Sequence, residues 1–104
     1  MLRFTEGNTG QTARIPPGDF FEIALTENPS TGFRWKVNSD GAPVCTREGD
    51  EFNPGAGVGA AGTHRWRFHA AQAGECEIGM TLERSWAGPA GDAKGFALRV
   101  VVGN

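Results

Sequence analysis

Glu75-Cys76-Glu77-Ile78-Gly79-Met80-Thr81-Leu82-Glu83 puts Cys, Ile, Met and Leu at every second position, with charged, small or hydroxyl residues between them. Side chains alternating at period two point to opposite faces of an extended chain, so the stretch reads as a strand with one apolar face. The same period runs outward in both directions. Phe21, Ile23 and Leu25 alternate with Glu22, Ala24 and Thr26; Phe33, Trp35 and Val37 with Arg34, Lys36 and Asn38; Trp66, Phe68 and Ala70 with Arg65, Arg67 and His69. Phe96, Leu98, Val100 and Val102 close the pattern, and weaker runs lie at 2–5, 12–15 and 44–47. No window keeps the i, i+3, i+4, i+7 stripe of an amphipathic helix.

Pro16-Pro17-Gly18, Asn28-Pro29, Gly41-Ala42-Pro43 and Ala73-Gly74 are turn signals between the runs, within a chain holding sixteen Gly and six Pro. At 104 residues the chain fits one domain, 1–104, with one core. About seven to eight short strands, each with one apolar face, bury those faces most economically as an all-β, immunoglobulin-like two-sheet β-sandwich. The expected strands are 2–6 with 12–15, then 19–26, 33–38, 43–47, 63–70, 75–83 and 95–102. The long connections are then 27–32, 48–62 and 84–94. Successive antiparallel strands alternate direction, so these three share one end. Long loops are retained where they bind something, and that end is the expected binding surface.

Ten Lys plus Arg against twelve Asp plus Glu give a formal charge of −2, which offers no long-range attraction to phosphate, so a nucleic-acid partner is not expected. No apolar run reaches the ~18 residues that span a bilayer, so no membrane partner is expected either. Met1–Glu6 has neither the basic start nor the apolar stretch of a signal peptide. The compartment stays open between the cytoplasm and an exported protein already trimmed. His64 and His69 lie five apart on a strand and point to opposite faces, so no metal site is expected. No nucleophile occupies a strand–turn–helix context, and neither an enzyme nor a cofactor is expected. Gly57-Val58-Gly59-Ala60-Ala61-Gly62 matches G-x-G-x-x-G in letters, but it follows Asn53-Pro54-Gly55 and precedes a strand pattern. The helix N-terminus that a dinucleotide needs is missing. Cys76 alternates with core residues and reads as packing. Strand 19–26 has no cysteine for an immunoglobulin-type bridge, and whether Cys45 and Cys76 pair stays open. Arg65, Arg67 and Arg99 read as a solvated sheet face.

The loop residues resemble a known family, the chagasin-type inhibitors of papain-like cysteine peptidases. Asn28-Pro29-Ser30-Thr31-Gly32-Phe33 is similar to the family's N-P-T-T-G-[YF] loop, with Ser for the first Thr. Gly59-Ala60-Ala61-Gly62 stands where the family carries G-x-G-G, and Arg84-Ser85-Trp86 resembles its R-P-W. The motifs follow in family order over essentially the whole chain. The resemblance implies a reversible inhibitor, acting as a monomer, whose three loops occlude the peptidase cleft with Thr31 over the catalytic cysteine. Ala61 and Ser85 depart from the pattern: Ala lacks the conformational freedom of Gly, and Ser lacks the fixed φ of Pro. A different expectation, from an exposed Trp86 on the rim, is an adhesion or carbohydrate-binding module.

Overall fold

The computed structural model describes residues 2–28, 32–55, 61–84, 88–89 and 95–103. Their order is β1 (Leu2–Phe4), a 3-10 turn (Glu6–Asn8), β2 (Thr12–Ile15), β3 (Phe20–Glu27), β4 (Phe33–Asp40), β5 (Cys45–Asn53), β6 (Gly62–Ala70), β7 (Gly74–Arg84), the two-residue β8 (Gly88–Pro89) and β9 (Gly95–Val102). Two sheets form, with strand orders β1-β3-β6-β5 and β2-β9-β7-β4, and β8 pairs with β7. This is the expected all-β, immunoglobulin-like sandwich of eight main strands.

The period-two residues supply the core between the sheets. Phe21, Ile23 and Leu25 of β3 and Trp66, Phe68 and Ala70 of β6 are buried on one side. Trp35 of β4, Ile78 and Met80 of β7, and Phe96, Leu98, Val100 and Val102 of β9 are buried on the other. Phe21 and Phe68 stack at 5.3 Å between ring centroids. The outer faces carry the charges: Arg65 reaches Glu51 at 3.4 Å, Arg99 reaches Glu75 at 3.3 Å, and Arg67 lies 4.7 Å above the exposed Phe20 ring.

Two features depart from the alternation. The first run splits between the sheets: β1 pairs parallel with β3 and β2 parallel with β9, so both sheets are mixed. The fourth strand reaches Asn53 instead of ending at 47, which shortens the second long connection to 54–61. Thr46–Glu51 are all exposed, and β5 is an edge strand with a bulge between Arg47 and Gly49. A solvated, charged edge protects a sheet from further pairing, but it presents no apolar phase to read. Leu2 pairs with Phe21 and Val102 with Gly74, so these two residues lie at one end of the sandwich.

Candidate functional site

Strand register settles where the three long connections begin and end. Glu27 is opposite Gly62, Asn53 is opposite Thr63 and Phe33 is opposite Arg84. The connections 28–32, 54–61 and 85–94 therefore leave the sheets side by side, at the end away from Leu2 and Val102. The two-residue β8 folds back on β7, with Arg84 opposite Gly88.

The first connection passes from one sheet to the other, so backbone ladders cannot close its base. Side chains do so instead. The Trp35 N–H donates to Glu27 Oε2 at 2.8 Å, and the Trp35 indole N–H donates to the Thr26 carbonyl at 2.9 Å. The Thr26 N–H donates to Glu6 Oε2 at 2.6 Å. Glu27 is 5% exposed, the one buried charged side chain among the described residues, and its other oxygen lies 3.2 Å from His64 Nδ1. His64 Nε2 lies 2.6 Å from Asp50 Oδ2, and the imidazole stacks on Trp66 at 4.0 Å and 5°. Four strands thus meet at one carboxyl–imidazole–carboxyl chain. A buried carboxyl needs such partners, because leaving it unpaired costs several kcal/mol, on the order of 1–3 or more. With one Glu27 oxygen engaged by the Trp35 N–H and the other by the imidazole, the cluster holds the loop base. Both Glu27 and His64 lie on inward phases of their strands, at 21, 23, 25, 27 and at 64, 66, 68, 70. The sequence reading missed their role, although that phase was the available signal.

Of the expected site residues, Asn28 is half-buried just past the end of β3, and Gly32 takes φ +80°, a conformation that favours Gly. Phe33 opens β4, Ala61 is exposed ahead of β6, Gly62 is the buried first residue of β6, and Arg84 ends β7. Pro29, Ser30, Thr31, Gly59, Ala60, Ser85 and Trp86 lie outside the described residues. Gly62 has no space for a side chain: a Cβ would collide with the Asn53 carbonyl oxygen and sit 2.5 Å from the Phe52 ring.

The chain as a whole is similar to known proteins. The family described as Chagasin family peptidase inhibitor I42 matches residues 14–100. Chagasin of Trypanosoma cruzi is 30% identical over 102 residues, covering 92% of this chain and 93% of its own. Amoebiasin-1 of Entamoeba histolytica is 35% identical over 103 residues, covering 97% of this chain and 99% of its own. The crystal structure of a cysteine protease inhibitor from Entamoeba histolytica superposes with a TM-score of 0.84 at 20% identity, over 98% of this chain and 95% of that one, a likeness of fold.

Proposed function

The chain belongs to the chagasin family of cysteine peptidase inhibitors, and from that premise we propose that it blocks papain-like cysteine peptidases by seating its three loops in their active-site cleft. It is an inhibitor and not an enzyme. The observation that supports the loop mechanism is the register, which brings the bases of 28–32, 54–61 and 85–94 to one end. In this reading Asn28, Pro29, Ser30, Thr31, Gly32 and Phe33 enter the centre of the cleft. Gly59, Ala60, Ala61 and Gly62 brace one side, with Arg84, Ser85 and Trp86 on the other.

The physical requirement is rigidity. Association costs translational freedom and the ordering of loops, and a loop already clamped at its base loses less on docking. A clamped loop also resists the nucleophile, because no peptide carbonyl is delivered in attack geometry. The Glu27–Trp35 and Trp35–Thr26 bonds supply that clamp.

Titration against a papain-like peptidase tests the proposal. The expected result is reversible inhibition at one inhibitor monomer per enzyme, with the inhibitor's intact mass unchanged after incubation with excess active enzyme. Trp86→Ala is expected to weaken binding by about 2 kcal/mol, as a hot-spot aromatic does, with an unchanged Tm. Rapid cleavage within Asn28–Phe33 would identify a substrate instead.

A further inference from the structure

Two thiols meet between the sheets at the end opposite the loops. Cys45 opens β5 and Cys76 is the third residue of β7. They are 31 positions apart in sequence, and their sulfurs lie 3.6 Å apart. The two strands belong to different sheets, so this contact is made by side chains across the core. Cys45 is 0% exposed, whereas Cys76 is half-buried and free. The turn before β5 is fitted around the pair. Gly41 takes φ +80°, and a Cβ there would come within 2.8 Å of Cys76 Sγ and 3.4 Å of Cys45 Cβ. The Cys45 N–H donates to the Gly41 carbonyl at 3.0 Å. The proposed peptidase contact, at the other end, uses neither thiol.

The geometry points to a disulfide between Cys45 and Cys76, formed by exchange with a small-molecule disulfide of the glutathione class, that locks the two sheets together. Cys76, the accessible partner, loses its proton and attacks one sulfur of the small disulfide. A mixed disulfide forms at Cys76 and one small thiol leaves. Cys45 loses its proton in turn and attacks Cys76 Sγ, expelling the second small thiol. The protein gives up two hydrogens, and the small disulfide is reduced to two thiols. Bond formation closes the sulfurs from 3.6 Å to ~2.05 Å. Burial pushes the Cys45 thiol up to about 12 and also raises Cys76, with Asp40 of β4 adding to the rise. The thiolate is the attacking form, so exchange is slow at neutral pH and speeds up as pH rises toward 9.

The test is to hold the reduced protein with excess oxidised glutathione at pH 7 and at pH 8.5, then read intact mass, a non-reducing peptide map and Tm. The expected product is a monomer lighter by two hydrogens, carrying a Cys45–Cys76 peptide and formed faster at pH 8.5. Its Tm should be higher by something on the order of 10 °C and should return to the starting value with dithiothreitol. Cys45→Ala should stop at the mixed disulfide on Cys76. Cys76→Ser, altered at the less buried position, should show no reaction while folded. The proposal is overturned by a wild-type mixed disulfide that does not resolve, or by disulfide-linked dimers. A cross-linked monomer with unchanged or lower Tm, or no reaction under conditions that oxidise the urea-unfolded chain, would overturn it too.

Discussion

β4 lies at the edge of its sheet, and the Trp35 N–H donates to the carboxyl of Glu27, at 2.8 Å, instead of to a neighbouring strand. Replacing Glu27 by Leu leaves that buried donor without an acceptor and strips His64 of one partner. We expect Glu27→Leu to lower stability by roughly 1–3 kcal/mol, read by urea unfolding. Glu27→Gln keeps an acceptor oxygen and should recover much of the loss. If the loop base is the clamp, Glu27→Leu also weakens peptidase binding at temperatures where it remains folded, whereas Glu27→Gln binds more nearly like the parent. Equal stability in the two variants would show that the hydrogen bond contributes little. Glu27 was legible only in part. An acid after Leu25 reads as the start of a loop, because the phase that places it inside cannot announce the His64 and Trp35 partners waiting there. Those partners come from β6 and β4, brought together by tertiary packing.

β5 shows how an element escapes a reading based on apolar phase. The strands with one buried face, β3, β4, β6, β7 and β9, all follow from alternation to within two residues at each end, because burial itself writes the pattern. β5 gains its place through backbone pairing with β6, from Cys45 opposite Ala70 to Asn53 opposite Thr63, and its charged residues carry no such record. The split of the first run between two sheets was equally hidden, since Leu2–Phe4 and Thr12–Ile15 look alike as short apolar-alternating pieces. The extension of β5 also changes the meaning of Gly62. In the sequence it closes a Gly-rich loop; in the fold it lies beneath Phe52 and the Asn53 carbonyl. Gly62→Ala must therefore push the end of β5 away from β6. Overpacking of this kind costs roughly 1–3 kcal/mol, and urea unfolding should show it. An unaffected midpoint would mean that the β5–β6 end adjusts freely.

For the molecule as a whole, the thiols link stability to alkaline pH. In the reduced protein Cys45 ionises at about 12, against 9.0 for an unperturbed thiol, because burial disfavours the thiolate, and Cys76 shifts in the same direction. The unfolded chain thus loses these protons first. Their contribution is complete below pH 9 and is lost as pH climbs from there toward 12. With no Tyr in the chain, thiols are prominent among the groups titrating there. The Tm of the reduced protein should fall above pH 9, and more steeply than that of Cys45→Ala/Cys76→Ala; parallel profiles would refute the assignment. The parallel pairings at the start of the chain have a different consequence. Since Leu2 and Val102 both sit at the end remote from the loop bases, anything fused to either terminus trails behind the end where the three connections leave the sheets. A bead, a sensor chip or a second protein could be tethered at the front or the back of the chain, and in both cases the strand ends that carry the three connections would lie at the far side from the anchor.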